Sequence, residues 1–341
     1  MPEKLGKNTI ILPSNPSVIG FAGVGGITES DGPLAEEYDY LYNDDKAGQE
    51  SFEKAESVFQ RHAVEIAVSK AGKSISDIDF IFAGDLLNQC IGTTFGLREM
   101  GVPFVGVYSA CSTMALTLSL ASVFVDSGAA SLAVASTSSH FCSAERQFRF
   151  PLEYGGQRTP TAQHTATAAG ASVISEHDTN KPFISAVHIG TIEDLGIKDA
   201  NNMGAAMAPA AARTIAGFLN DTGASPDELD MILTGDLGVV GSSLLKELIL
   251  KDYGYDISSV HNDCGLLIYD MKKQDVHAGG SGCGCSASVL NTHIMNRLCA
   301  GELKKVLFVA TGALLSPTST LQGETIPSIA HAVLLNGSQS Q

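Results

Sequence analysis

The most uniform stretch of the chain runs from Gly101 to Val125, where no residue is charged. It opens with Val102, Phe104, Val105, Val107 and Tyr108, whose β-branched and aromatic side chains predict a strand. Ser109-Ala110-Cys111-Ser112 reads as a turn, and an almost wholly apolar helix follows until Asp126 and Gly128 end it. The stretch is long enough to span a membrane. Pro103, Gly106 and the hydroxyl residues from Ser109 to Ser122 favour a buried strand and a buried helix instead. A helix that is apolar all round must be covered all round. A cysteine at such a turn lies beside free backbone N–H groups and the positive end of the helix dipole, which lower a thiol pKa. Cys111 is therefore either a presented nucleophile or a buried structural cysteine.

The remaining pattern is that of one half repeated. Residues 16–26 predict a buried strand ending in a glycine turn, and 27–49 an acidic loop. Phe52, Ala55, Phe59, Ala63, Ile66 and Ala67 share a helical face within 50–71, and Gly72 stops that helix. Further strands are expected at 78–83, 131–136 and 165–175, with a polar excursion over 137–164. Gly72–Leu86 then lies over Gly223–Leu237 without a gap, with seven of fifteen positions identical. The helix 50–71 recurs as 203–220, the first strand as 183–190, and the turn with its apolar helix as 280–298. Strand 132–136 recurs as 307–311, and the closing strand as 329–335. Matching elements in one order indicate a duplication, with halves 1–178 and 179–341.

Strands alternating with helices predict an α/β fold of mainly parallel sheets with helices on both faces. The halves are expected to pack about a pseudo-twofold axis. The helices after Cys111 and Cys283 would lie buried between the sheets, with a pocket where their N-termini converge.

Composition narrows the function. The net charge of −16 argues against nucleic acid and against docking on anionic lipid. Seven cysteines, an odd number without framework spacing, predict free thiols in a reducing compartment. Cys283-Gly-Cys285 is not a zinc pair, so no resident metal or cofactor is expected. MPEKLGKNTIILP has no apolar core of signal-peptide length, and a cytoplasmic product is expected.

A duplicated βαβαβαββ half with Cys111 at the start of a buried central helix resembles the thiolase superfamily, whose ketoacyl synthases carry a similar Ala-Cys turn. Within it the chain resembles the stage V sporulation protein AD family over nearly its whole length. The resemblance is carried by RFPLEYGGQRTPTAQHTATAAGA from Arg149, VYSACSTMALTL around Cys111 and HAGGSGCGCSAS around Cys283. It implies a thiolase-like fold and binding of dipicolinic acid, pyridine-2,6-dicarboxylate, as the free acid or its calcium chelate. It further implies uptake of this compound into the developing spore, together with membrane proteins of the same sporulation operon. A homodimer is implied, attached peripherally to the spore inner membrane through protein partners.

Condensing enzymes of this fold pair the cysteine with a His and a second His or Asn. By the resemblance those places fall at Gly235-Asp236 and at Cys283, which cannot do the same work. The implied protein is thus a binder that is not an enzyme. The alternative is a thiolase-type acyltransferase that uses Cys111, with His277, His140 or His164 as its partner.

Two carboxylates call for Arg forks and amide donors. The excursion concentrates Arg146, Arg149 and Arg158, and can fold over the Cys111 turn. Loss of a contacting Arg is expected to cost about 2–5 kcal/mol of binding. Lys198 lies in the matching loop of the second half. Asp85 and Asp236 are equivalent in the two halves. Beside Asn88 and Gln89, they would either line the pocket and ligate calcium or cap helices.

Overall fold

The computed structural model describes residues 1–148 and 158–338. In the first half, β1 (Ser17–Gly25) leads to α1 (Phe52–Lys70), β2 (Phe80–Gly84), α2 (Ile91–Leu97) and β3 (Phe104–Gly106). After it come α3 (Thr113–Asp126), β4 (Leu132–Ser139), α4 (Phe141–Phe148) and β5 (Ala168–Ser175). The second half begins with β6 (Phe183–His188), α5 (Met203–Thr222), β7 (Met231–Thr234), α6 (Gly238–Tyr253) and β8 (His261–Asp263). It closes with α7 (Cys283–Val289), β9 (Lys305–Ala313) and β10 (Ser328–Asn336). A π-helical turn, Leu290–Ile294, carries α7 on into Met295–Cys299.

The strand order β8-β7-β9-β10-β6-β1-β5-β4-β2-β3 reads the same from both ends under the duplication. Within the main sheet, among the described residues, Phe183↔Ser17 is the one register pair that joins the two five-stranded halves. A hairpin of residues 3–11 adds to β6, so the start of the chain pairs with the second half.

The expectation of mainly parallel sheets needs correction. In each half two pairs are parallel (β2 with β3 and β4, β7 with β8 and β9) and two antiparallel (β5 with β1 and β4, β10 with β6 and β9). β5 comes back alongside β4 in the opposite sense, and β10 alongside β9 in the same way.

α1 covers the outer face of the first sheet and α5 that of the second. α3 lies against β2 and β4 of its own half and against β9 and β10 of the other, and α7 packs on β1, β4 and β5. α7 is buried throughout, whereas α3 keeps a half-buried apolar stripe at Leu116, Leu120, Val123 and Phe124, so the expectation of a wholly covered helix holds for α7 and only in part for α3. α7 approaches β5 so closely that a Cβ on Gly170 would stand 2.4 Å from the Ala287 carbonyl oxygen.

Candidate functional site

The start of α3 carries Cys111. Ala110, at φ 47°, turns the chain sharply before it, and Thr113 is the first helical residue. His331, from β10 of the other half, fixes this turn. The Gly190 N–H donates to Nδ1 of His331 (3.2 Å), so its Nε2–H donates to Ser109 Oγ (3.0 Å). Ser109 then donates to Ser112 Oγ (2.6 Å), whose own proton goes to the Ser109 carbonyl (2.6 Å). Burial pushes His331 down to about 4, which keeps the imidazole neutral in this chain.

Cys111 is 6% exposed and opens on a narrow cleft. Leu86, Tyr108 and Ala110 line it beside the cysteine, and α4 covers it with Ala144, Glu145 and Phe148. The second half adds Met203, Ser281, Ala313 and Leu315. The walls are mostly apolar. Among the described lining residues Glu145 is the only charged side chain.

The expected lowering of the Cys111 pKa is reversed. Burial pushes the thiol well above its ordinary value, and the adjacent Asp236 carboxyl pushes it further. Cys111 also stands ahead of the first helical residue, outside the turn whose N–H groups would favour a thiolate. Asp236 is buried and accepts from Gly282 N (2.9 Å), Thr311 Oγ1 (2.7 Å) and Ser281 Oγ (3.2 Å). A Cβ on Gly235 would stand 3.1 Å from Ala310 Cα, a tight fit that needs the β9 backbone to give by a few tenths of an ångström.

Cys283 begins α7, fully buried, and packs with Leu86, Cys111 and Ala144. Its thiol donates to the Ser138 carbonyl at 3.0 Å, and burial pushes it well up as well. The two cysteines of the duplicated turns thus meet, and all seven cysteines are free thiols.

Asp85 and Asp236 follow equivalent strands but serve different partners. Asp85 accepts the Leu87 and Thr93 N–H groups and the Thr93 hydroxyl at 2.6–2.7 Å, a capping role. Asp263 takes the N–H of Gly238, the counterpart of Leu87, together with that of Leu237, leaving Asp236 beside Cys111. Neither Asp85 nor Asp236 lines the cleft.

The excursion does fold over the Cys111 turn, as α4, but its described arginines point elsewhere. Arg146 pairs with Glu53 of α1. Arg158 donates to the Asp275 carbonyl (2.6 Å) and stands over the Phe141 ring. His164 stacks on that ring (4.2 Å), and His277 pairs with the Asp275 carboxylate (3.1 Å). Arg158, His164 and His277 thus form one cluster beside the cleft rather than in it. Arg149 lies outside the described residues.

His140 contacts the Asp45 carbonyl (2.6 Å) through Nε2 and packs against Phe52 and Phe59. Burial lowers its pKa, which suits a structural histidine. Asn88 and Gln89 are exposed, with Asn88 bonded to Gln147. Lys198 is exposed and donates to the Gly323 carbonyl (2.6 Å).

Sequence reasoning missed Glu145, Phe148 and His331. Glu145 and Phe148 sit in the segment that was read for its arginines. His331 is a lone histidine in an apolar strand, with no local signal.

Stage V sporulation protein AD is the description of the family model that matches residues 6–336. The chain is 47% identical over 330 residues to stage V sporulation protein AD of Bacillus subtilis (strain 168), covering 96% of each. Among solved structures it resembles 3-oxoacyl-[acyl-carrier-protein] synthase III from Aquifex aeolicus VF5 (TM-score 0.55, 13% identity, 94% of this chain and 99% of that one). It also resembles a variant of OleA from Xanthomonas campestris (TM-score 0.60, 14% identity, 98% and 99%). At such identities these likenesses establish a thiolase-like fold and nothing of chemistry. The chain belongs to the stage V sporulation protein AD family, a family of sporulation proteins.

Proposed function

We propose that this sporulation protein binds dipicolinate as its calcium chelate in the Cys111 cleft, and serves its uptake into the developing spore without catalysing a reaction. The observation that carries the reading is an apolar cleft with a buried cysteine, Cys111, in its wall and no histidine among the described lining residues. A free dicarboxylate needs cationic partners to offset its desolvation, and the described lining residues include no Lys, Arg or His. The chelate is close to neutral. Its ring suits an apolar slot, and its calcium takes further oxygen ligands, for which Glu145, Tyr108 and Ser281 stand in the walls. The test is a crystal structure of the protein grown with calcium dipicolinate. Ring density against Phe148 supports the reading, and density only elsewhere refutes it.

The same reading includes a homodimer through β3. This strand ends the sheet, and Phe104 on it (40%) and Phe95 on α2 (53%) are exposed. It also includes attachment to the spore inner membrane through membrane proteins of the same operon. No helix among the described residues is long and apolar enough to cross a membrane.

A further inference from the structure

The helix that covers the cleft is seated on two buried carboxyls. Glu56 of α1 is 1% exposed. Its Oε2 lies 2.8 Å from Ser143 Oγ on α4, and its Oε1 3.2 Å from Ser138 Oγ on β4. Asp85 faces it across Gly92 of α2. A Cβ on Gly92 would stand 3.4 Å from Asp85 Oδ2 and 3.4 Å from Glu56 Cδ.

Among the described residues, the other titratable groups around Glu56 provide no cation for the pair. α4 brings Glu145 and also Arg146, which is engaged with Glu53 of α1. α7 brings the Cys283 thiol, and the turn before α2 brings Cys90 next to Asp85. His140 packs nearby against Phe52 and Phe59. α2 and β4 contribute no charged residue.

Two buried carboxyls without a cation cannot both ionise cheaply. Asp85 has three donors and keeps the charge. Glu56 has only two hydroxyls, and these can turn. Ser143 has a second acceptor in the His140 carbonyl (3.2 Å), so it can receive a proton from Glu56 and donate its own onward. Burial, and then Asp85, raise Glu56 to about 8.

We propose that the Glu56–Asp85 pair is a proton latch on α4: protonated Glu56 seats the helix over the Cys111 cleft, and its ionisation lifts the helix. The relevance to ligand entry rests on the reading of the cleft as a binding site, whereas the latch is a property of the protein alone. With α4 lifted, Glu56 meets water and titrates near its ordinary value of 4.5. Opening is therefore favoured increasingly as pH rises from about 4.5 to about 8, by up to about tenfold per pH unit, and levels above that.

The test is hydrogen exchange of residues 141–148 in the full chain from pH 5 to 9, with each rate divided by that of Glu56→Gln so that intrinsic exchange cancels. The ratio should rise to about pH 8 and then level, while residues 203–222 show a flat ratio. Asp85→Asn should move the levelling point to lower pH. A flat ratio for 141–148 overturns the latch. Should Glu56→Gln fail to fold by circular dichroism, carbon-13 titration of the wild-type Glu56 carboxyl replaces it. Titration in step with α4 exchange supports the latch, and titration without it overturns the latch. Failure of calcium dipicolinate to bind at any pH would remove the ligand reading and leave these exchange results standing.

Discussion

Burial and the adjacent Asp236 carboxyl push the Cys111 thiol well up, so the residue placed like a nucleophile has a buried carboxyl beside it instead of an imidazole. Negative charge there opposes the thiolate that nucleophilic attack requires. Wild-type Cys111 should therefore alkylate with iodoacetamide at pH 8 more slowly than exposed Cys299. Asp236→Asn removes the opposing charge and should speed Cys111 alkylation by about tenfold or more, one pKa unit or more of relief. Peptide mass spectrometry reads both sites, and an unchanged Cys111 rate in a folded variant would contradict this electrostatic account.

Arg146 and Glu53 form a half-exposed pair on α4 and α1. Such pairs are worth about 0–1 kcal/mol. Arg146→Ala should lower stability by no more than that and change binding of calcium dipicolinate by less than about 0.5 kcal/mol. The expected loss of about 2–5 kcal/mol belongs to an arginine buried against ligand, which neither Arg146 nor Arg158 is. A large binding loss in folded Arg146→Ala would return the arginines to the site.

These outcomes mark what was readable in the chain. Gly72–Leu86 and Gly223–Leu237 revealed the duplication because sheet-forming segments keep their pattern locally. Cys111 was legible as a turn residue for the same reason. Its protonation was not, because Asp236 and Gly282 reach it from the other half through the fold. Charge along 140–164 was visible, but the direction of each side chain was not. On a short helix Arg146 and Glu145 are neighbours in sequence that point to different surroundings.

Glu29 is buried, bonded to the Tyr269 hydroxyl and the N–H groups of Thr167 and Gly26, and burial raises it to about 7. The unfolded chain releases this proton near 4.5, the folded protein only near 7. Stability is therefore lost as pH rises between those values and levels above, by up to about 3 kcal/mol. Urea unfolding at pH 5 and 7.5 should show lower stability at pH 7.5 and a smaller difference in Glu29→Gln. An equal difference in the two proteins would exclude this carboxyl as a source.

Phe104 on the edge strand β3 and Phe95 on α2 are among the exposed apolar groups of the first half, with Ile91 and Tyr108. Light scattering at micromolar concentration should report a dimer for the parent and a monomer for Phe104→Arg. A monomeric parent would contradict the proposed interface.

Titration calorimetry with calcium dipicolinate tests the account most directly, run beside dipicolinate with chelator and on Phe148→Ala. The account predicts saturable binding of the chelate, weaker binding of the free dianion, and a loss in Phe148→Ala of about 1.5–3 kcal/mol, the worth of burying one such side chain. Binding of the free dianion as tight as that of the chelate, unaffected by Phe148→Ala, would contradict it.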